Sequence, residues 1–413
     1  MTIANRYDVI VVGGGIAGGA AAARLASTGF SVLSIEKESQ YTDQVRGEGL
    51  VQWGVEAAAG MDLDNLLYTA PGATVMTRVV AYDELSTIDQ ARAHAEDMTK
   101  IIPGIPGLIG IGHPEFRQAL ADKARDAGAT LLYGVKDARV HAGETPSVEF
   151  TRNGESFKPT CRLVIVADGR GSTIRKELGI QLESTVPRVM LSGMLVEDGG
   201  AWDRAETTIG VVNGNHLYVF PRQGVLRLYV GRRADHPEPL RGEDKEQRFL
   251  ESFRNEHIPH GEAIANGKIV GPCNSFLMTD SWTATPYRSG VVLAGDAAGW
   301  SNPITGQGLA IALRDAKVLT DLLIESKNWD EAVLQEYTKE RTERMRRLRF
   351  ASALTDLLTA HGVDDRAIRQ KRMRRKLREN PEFAQALGAV HKGPWTVPLK
   401  AFEPNILTSL AMA

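Results

Sequence analysis

Three glycines and a glutamate near the N-terminus have the types and the spacing needed to bind a dinucleotide. Gly13, Gly15 and Gly18 form the pattern GxGxxG between an apolar run, YDVIVV, and an alanine-rich segment of helical composition. The first glycine permits a tight turn, the second lets backbone amides approach a pyrophosphate, and the third lets helix and strand pack closely. Glu36 ends the next apolar run, near the spacing of a carboxylate that accepts hydrogen bonds from ribose hydroxyls. This pattern predicts a dinucleotide site without distinguishing FAD from NAD.

A second motif, GDAAGWSNPITGQG at residues 295–308, follows the apolar run VVLA. Asp296 would end a strand at the sheet edge where open α/β folds bind ligands, and its carboxylate could accept a hydrogen bond from a ribityl hydroxyl. The next helix is expected to begin near Gln307, with free amides and a positive dipole end toward the ligand. A flavin fits because its reduced ring carries negative charge that such a helix end stabilises, whereas NAD has no ribityl chain.

A third apolar run, VIVADG, ends at Asp168 and Gly169. Asp168 is a candidate for contact with the central part of the cofactor, although a weaker one than Asp296. Ser172 and Arg175 are interpreted as supports of the loop and of the helix that follows. Three strand ends are therefore predicted to converge along one sheet edge around a single extended flavin nucleotide.

The elements that must position these motifs alternate in type along the chain. Strands and helices alternate around the three motifs. A strand-rich segment separates the Asp168 motif from the Asp296 motif along the chain, and charged helices follow. These patterns predict an α/β fold, α+β overall, with a Rossmann-like FAD-binding domain, an inserted antiparallel substrate sheet and a helical C-terminal region. The expected limits are 1–72, 105–185 and 272–330 for the FAD-binding domain, 73–104 and 186–271 for the substrate domain, and 331–413 for the helical region.

The composition of the chain limits the expected cellular location and the classes of binding partner. The 413 residues include 43% apolar and 24% charged residues, with a formal net charge of −2, so no general field attracts nucleic acid or anionic membranes. The two cysteines suggest neither a disulfide framework nor a metal site. The chain has no 18-residue uncharged stretch, and its N-terminal apolar run lacks the basic segment of a signal peptide. We expect a cytoplasmic protein without a metal, an integral membrane segment or a nucleic-acid partner.

The three motifs have the order and spacing found in FAD-dependent aromatic hydroxylases, the p-hydroxybenzoate hydroxylase-like group A flavoprotein monooxygenases. The sequence resembles this family from about Tyr7 to Leu323, and HLYVFPRQGVLRLYVGRR resembles its substrate-domain sheet. The resemblance implies a GR2-type FAD-binding fold with FAD as cofactor, NAD(P)H as a transient reductant and O2 as oxidant. It also implies hydroxylation of an aromatic or polycyclic small molecule through a flavin C4a-hydroperoxide.

The resemblance also suggests roles for single residues. Arg46 and Arg117 resemble arginines that contact the FAD phosphates or ribityl chain, and Val135 resembles the residue whose backbone meets the adenine. Gly306, Gln307 and Gly308 would lie beside the flavin ring. The expected cofactor-binding residues are Gly13, Gly15, Ile16, Ala17, Gly18, Glu36, Lys37, Arg46, Arg117, Val135, Asp168, Asp296, Pro303, Gly306, Gln307, Gly308 and Leu309. No side chain is assigned a catalytic role.

Substrate contacts are expected from the strands HLYVFP and VLRLYV. Alternation along a strand places His216, Tyr218 and Phe220 on one face, and Arg227 and Tyr229 on one face. Tyr218 and Arg227 are the candidate substrate-binding residues. The alternative is that this polar and aromatic face meets solvent. A lone histidine is more often structural than catalytic, so His216 is not assigned as a base.

Two departures from the hydroxylase pattern leave the reaction type open. Hydroxylases usually carry His after GDAA and Asn just after GQG, where this chain has Gly299 and, after Leu309, Ala310. The segment also resembles geranylgeranyl reductases, so a FAD-dependent reductase of isoprenoid double bonds is the main alternative. A flavoprotein that binds a ligand without turnover is another. The chain lacks the WxWxIP motif of flavin halogenases, which argues against halogenation.

Two basic stretches, RTERMRRLRF and RQKRMRRKLREN, have helical spacing. They are predicted to be solvated helix faces or dimer contacts, so a homodimer is one possible state. Binding of anionic lipid or of the NADPH 2′-phosphate is the alternative.

Overall fold

A six-stranded sheet forms the centre of the nucleotide-binding unit in the computed structural model, which describes residues 3–236, 239–359 and 366–411. Its strands, in spatial order, are Tyr287–Arg288, Val291–Leu293, Leu163–Val166, Val9–Val12, Val32–Ile35 and Thr130–Leu132. The last five run parallel, and Tyr287–Arg288 pairs antiparallel at the edge. The inner strands VIVV, VLSI and LVIV are buried throughout, as expected for parallel strands covered on both faces.

Layers on both faces of this sheet explain that burial. Val9 and Val11 point into one apolar cluster, which contains the three helices Ile16–Ser27, His113–Asp126 and Gly308–Glu325. Ile10 and Val12 point into the opposite cluster, which also contains part of a small antiparallel sheet. The strands of that small sheet are Lys136–His141, Ser147–Arg152 and Glu155–Phe157. The predicted α/β nucleotide-binding unit is thereby confirmed as a three-layer structure.

A second large sheet lies beside this unit. Its seven strands, in spatial order, are Asn274–Leu277, Val189–Glu197, Val225–Arg233, Asn215–Arg222, Glu206–Val212, Arg78–Val80 and Glu96–Asp97. All neighbours are antiparallel except Glu206–Val212 with Arg78–Val80. One face carries Leu217, Val219 and Leu228, which pack with phenylalanines of the connecting helical segment. The opposite face turns toward the nucleotide-binding unit. The domain limits given above stay a prediction.

Short elements connect these layers. In one small sheet, strand Leu108–Gly110 pairs with Gly49–Leu50 on one side and with Thr74–Met76 on the other. In another, Glu183–Ser184 pairs with Ser281–Trp282. The short helices are Gln52–Ala59, Asp64–Thr69, Ile88–Ala93, Thr173–Glu177, Lys245–Glu251 and Gly261–Ala265. The 3-10 turns before the C-terminal region are Met98–Lys100, Gly295–Ala298 and Pro303–Thr305.

The C-terminal part of the chain is helical. It contains the α-helices Glu331–Thr359, Arg366–Glu379, Gly388–Lys392 and Pro404–Ala411, and the 3-10 turns Pro381–Leu387, Pro394–Thr396 and Leu399–Phe402. These elements share an apolar cluster that includes Phe350, Leu354 and Phe402. Across the described ranges, no helix combines the length and the apolar character that a membrane crossing requires.

A buried ion cluster fastens the long helix Glu331–Thr359 to the nucleotide-binding unit. Asp315 is fully buried and accepts hydrogen bonds from Arg341 Nε (2.9 Å), Arg344 Nη2 (2.6 Å) and the Gly295 amide (2.8 Å). Arg341 also donates to the carbonyls of Ala298 and Gly295. Burial by itself raises the pKa of Asp315, but the two guanidinium groups hold it below its usual value. The prediction that RTERMRRLRF is a solvated face or a dimer contact is therefore wrong for these two arginines, because they neutralise a buried carboxylate.

Replacing Asp315→Asn should lower the free energy of unfolding by about 3 kcal/mol, because buried Arg341 loses its charged partner and buried Arg344 keeps only Glu340. Urea unfolding of the apoprotein measures this change. The matched control is Asp321→Asn in the same helix, whose half-buried carboxylate pairs with Lys317 and should contribute under about 1 kcal/mol. Equal losses in the two variants would contradict the structural role of the cluster.

Candidate active site

A cleft of about 650 Å³ runs along the carboxyl ends of the parallel strands. Its walls include the turn after Val9–Val12, Asp168 after Leu163–Val166, and Asp296 after Val291–Leu293. The three motifs singled out in the sequence therefore meet at one edge, as the parallel order of these strands requires.

The glycine turn leaves open space at one of its three motif glycines. A Cβ on Gly13, whose φ is +105°, would lie 2.4 Å from the carbonyl oxygen of Ala167, and one on Gly18 would lie 2.0 Å from that of Gly13. A Cβ on Gly15 would meet no atom closer than 3.9 Å. Helix Ile16–Ser27 then starts without a side-chain cap or an acidic residue in its first turn. Its free amides and the open space at Gly15 suit a phosphate group.

Glu36 lies at one end of the cleft in a network of hydrogen bonds. Its Oε2 accepts from the Gly14 amide (2.7 Å) and from Arg117 Nη2 (3.1 Å), and its Oε1 accepts from the Glu38 amide (2.9 Å). Arg117 also donates to Glu38 Oε2 (3.0 Å), and its guanidinium carbon lies 4.0 Å from the centre of the Tyr41 ring. Arg117 lines the cleft, but its guanidinium group is occupied by these contacts and orients Glu36.

The middle of the cleft contains an unsatisfied acceptor. Asp168 Oδ1 is buried and has no hydrogen-bond partner among the described residues. Burial raises the pKa of Asp168, while Ser172 and Arg175 oppose that shift. An unpaired buried oxygen of this kind is suited to accept from a ligand hydroxyl. Lys37 and Val135 also line the cleft, and the Val135 amide donates to the carbonyl of Glu36 (3.0 Å).

Asp296 marks the opposite end of the cleft. Its Oδ2 pairs with Arg170 Nε (2.9 Å). Helix Gly308–Glu325 begins nearby, without a side-chain cap, and both Gly308 and Leu309 line the cleft. The predicted arrangement of a carboxylate followed by an open helix N-terminus is present, and it can receive the anionic part of a reduced flavin ring.

Most of the predicted cofactor-binding residues line the cleft, and four do not. Those lining it are Gly13, Gly15, Ile16, Ala17, Glu36, Lys37, Arg46, Arg117, Val135, Asp168, Asp296, Gly308 and Leu309. Gly18 packs behind the turn, and Pro303, Gly306 and Gln307 lie outside the cleft wall. Gln307 is buried, and its Oε1 accepts from Trp53 Nε1 (2.8 Å), so its side chain stabilises the helix start. Direct contact of each residue with FAD stays a prediction.

Several cleft residues escaped the sequence reasoning. Arg170 directly follows the Asp168–Gly169 pair, so extending that motif by one residue would have found it. His113 lies at the start of helix His113–Asp126, and no motif marks it. Burial, reinforced by the positive charges of Arg117 and Arg46, lowers the pKa of His113 to about 4, so its imidazole is neutral at pH 7.

The sheet face that carries Tyr218 and Arg227 is buried against the nucleotide-binding unit, so the solvent-facing alternative is wrong. Tyr218 packs in a cluster with Tyr229, Val45 and Ile304, the last from the loop before helix Gly308–Glu325. Arg227 is fully buried and is neutralised by carboxylates of the nucleotide-binding unit. Binding of substrate by Tyr218 and Arg227 stays a prediction.

The contrast between two motif glycines yields a direct test. Gly15→Ala should fold normally, since its φ of −75° suits alanine and its Cβ meets open space, yet it should weaken FAD binding on the order of tenfold or more. Gly18→Ala should instead lower the unfolding free energy by about 1–3 kcal/mol through overpacking. Fluorescence titration with FAD and urea unfolding separate the two effects. Unchanged FAD affinity in Gly15→Ala would exclude that glycine from the phosphate seat.

Known proteins resemble this chain in both sequence and fold. Digeranylgeranylglycerophospholipid reductase 1 of Methanococcoides burtonii is 23% identical over 351 residues, covering 81% of this chain and 79% of that protein. Squalene monooxygenase of Mus musculus is 25% identical over 370 residues, covering 86% of this chain and 62% of that protein. The crystal structure of p-nitrophenol 4-monooxygenase from Pseudomonas putida DLL-E4 superposes with a TM-score of 0.74 at 19% identity, covering 99% and 98% of the two chains. This last likeness shows a shared fold.

The cleft also fits the cofactor that the motifs predict. An open glycine seat, two uncapped helix starts and an unpaired carboxylate oxygen lie along one continuous groove. The sequence model of the family described as the FAD binding domain matches residues 6–351, which is most of the chain. The protein therefore belongs to this family and is an FAD-dependent oxidoreductase.

Proposed function

We propose that the protein is a monooxygenase that uses FAD, NAD(P)H and O2 to hydroxylate an uncharged aromatic or polycyclic small molecule. The observation that carries this proposal is the position of the aromatic sheet face. Ile304, in the loop between Asp296 and helix Gly308–Glu325, packs in one cluster with Tyr218 and Tyr229. A substrate between that face and the flavin would therefore meet mainly aromatic and aliphatic groups.

The same face argues for a substrate without charge. The rings of His216, Tyr218 and Phe220 follow one another with centroids 6.0 and 6.5 Å apart. Arg222 and Arg227, two of the four arginines of these strands, are both paired with buried Glu48. Neither guanidinium is free to neutralise a substrate carboxylate, so binding would depend on apolar area and aromatic stacking.

When bound, FAD supplies the transfer of electrons between NAD(P)H, O2 and the substrate. The chain supplies positioning and protection. Asp168 and Asp296 would hold hydroxyl groups of the cofactor, and the start of helix Gly308–Glu325 would stabilise negative charge at its redox end. The buried sheet face would exclude water from the reacting atoms and orient the substrate.

The second candidate is a reductase of isoprenoid double bonds. It is supported by the similarity to the Methanococcoides burtonii reductase and by Gly299 and Ala310, which depart from the usual hydroxylase pattern. An apolar sheet face also suits an isoprenoid chain. The hydroxylase proposal is preferred because stacked rings favour a planar substrate.

The reaction can be assigned with a panel of aromatic, polycyclic and isoprenoid compounds. Under anaerobic conditions, a true hydroxylation substrate should accelerate bleaching of the flavin by NAD(P)H and remain unchanged itself. After admission of 18O2, mass spectrometry should find a product carrying one labelled oxygen. A product that has gained two hydrogens without O2 would identify the reductase. Formation of H2O2 alone, or no bleaching with any compound, would contradict hydroxylation.

Replacing Asp296→Ala should give folded protein with FAD affinity reduced by about tenfold, the effect of losing a hydrogen bond to a charged acceptor. Asp321→Ala, in the helix that follows but outside the cleft wall, serves as the control with unchanged affinity. Equilibrium dialysis followed by the flavin absorbance measures both. Full retention of yellow colour in Asp296→Ala would show that this carboxylate does not hold the cofactor.

A further inference from the structure

The segment Asp43–Glu48 is held at both ends by one side chain from the seven-stranded sheet. Arg227 Nη2 lies 2.5 Å from Asp43 Oδ2 and 3.0 Å from Glu48 Oε1, and Arg227 Nε donates to the same Glu48 oxygen (3.1 Å). Arg227 and Glu48 are both buried. A single rigid guanidinium thus spans six residues of the nucleotide-binding unit, a geometry that lysine cannot reproduce.

The backbone between these two ends is in an unfavourable conformation. Val45 has a φ of +54°, which is rare for a β-branched residue, and it is completely buried. Its amide donates to Asp43 Oδ1 (2.7 Å). A Cβ on Gly193 of the sheet would lie 2.5 Å from Val45 Cγ1, so the sheet backbone comes as close as a glycine allows. Such a conformation persists only where surrounding contacts impose it.

The segment carries Arg46 into the cleft. Arg46 lines the cleft wall, and its guanidinium carbon lies 6.0 Å from the centre of the Phe276 ring. Burial lowers the pKa of Arg46, and the nearby charge of Arg170 lowers it further. Within the described part of the chain, no carboxylate forms an ion pair with Arg46, so its own side-chain contacts hold it weakly. Its position therefore depends on the backbone of the segment.

Glu48 connects the segment to the rest of the sheet and to the cleft helix. Its Oε2 lies 3.4 Å from Arg222 Nη1, and Arg222 Nη2 lies 3.0 Å from Glu115 Oε1, in the first turn of helix His113–Asp126. Glu48 Oε2 and Arg227 Nη1 are nevertheless buried without a hydrogen-bond partner among the described residues. The charged cluster is thus incompletely satisfied, and loss of one charge should change its geometry.

We propose that Arg227, Asp43 and Glu48 form a positioning clamp that places Arg46 against the flavin cofactor, and that the clamp holds only while Glu48 is ionised. The clamp goes beyond the proposed reaction, since it concerns binding of the cofactor in either candidate activity. It joins the substrate sheet directly to the cofactor cleft.

Glu48 changes its charge within a pH range in which FAD binding can be measured. Burial raises the pKa of Glu48 to about 7, and the negative charge of Asp43 adds to this rise. The positive charges of Arg227 and Arg222 act in the opposite direction. These groups, with Glu115 beyond Arg222, are the charges that face Glu48 from the sheet, its own segment and the cleft helix. A raised pKa means that Glu48 is ionised above about pH 7 and protonated below it. The clamp should therefore tighten, and FAD should bind more strongly, as the pH rises through 7.

The test compares FAD dissociation constants of wild type and Glu48→Gln, a variant of the same shape as the protonated side chain. At about pH 8.5 the variant should bind FAD about fivefold more weakly, and at about pH 5.5 the two proteins should agree. Glu149→Gln, at an exposed ion pair with Lys158, is the control and should match wild type throughout. A ratio between Glu48→Gln and wild type that does not change with pH would overturn the proposal.

A double-mutant comparison tests whether Glu48 influences FAD affinity by positioning Arg46. In Arg46→Ala protein, which should itself bind FAD more weakly, adding Glu48→Gln should cause no further loss at either pH. Additive losses, or no effect of Arg46→Ala on FAD affinity, would refute the clamp. Should Glu48→Gln fail to fold, Asp43→Asn removes the partly exposed end of the same clamp and must show the same dependence on Arg46. These readouts use FAD alone, so they are independent of which substrate the enzyme oxidises or reduces.

Discussion

The ion cluster around Asp315 is the constraint on which the redox end of the cleft depends. One buried carboxylate binds the amide of Gly295 and two arginines of the long C-terminal helix, and Arg341 in turn binds carbonyls on both sides of Asp296. Asp296 itself is only partly buried and forms a single ion pair within the described residues, with Arg170. The position of Asp296 is thus determined by Asp315, Arg341 and Arg344, which are buried outside the cleft.

The seven-stranded sheet separates two kinds of surface. Leu217, Val219 and Leu228 close an ordinary apolar core, while the residues between them present aromatic rings and charge to the nucleotide-binding unit. Both faces are therefore buried, in contrast to a typical antiparallel sheet with one solvated face. The charged residues on the inner face form ion pairs with the nucleotide-binding unit, which joins substrate recognition and cofactor binding through one interface.

The sequence was sufficient to predict those parts of the cleft that are formed by short motifs directly after a strand. The glycine turn, Glu36 and Asp296 each follow an apolar strand, and parallel strands necessarily end at one edge, so their convergence could be predicted. The ion pairs could not, because Arg227 meets Glu48 across 179 positions and Arg341 meets Asp315 across 26. A run rich in arginine is usually solvated, and only tertiary packing shows which of its members are buried. The hydrogen bond of Gln307 could not be predicted for a similar reason, since its partner Trp53 lies in a distant helix.

The order of strands in the parallel sheet has a consequence for biosynthesis. Leu163–Val166 sits between Val9–Val12 and Val291–Leu293, so the central sheet combines segments made early, midway and late. The ribosome must release Arg341 and Arg344 before the Gly295 loop can be fixed. Until Val291–Leu293 pairs with it, strand Leu163–Val166 leaves an apolar sheet edge uncovered, which invites association with chaperones or with other nascent chains. The Asp296 end of the cleft is thus complete only after the helix segment that carries Arg341 and Arg344 has been synthesised.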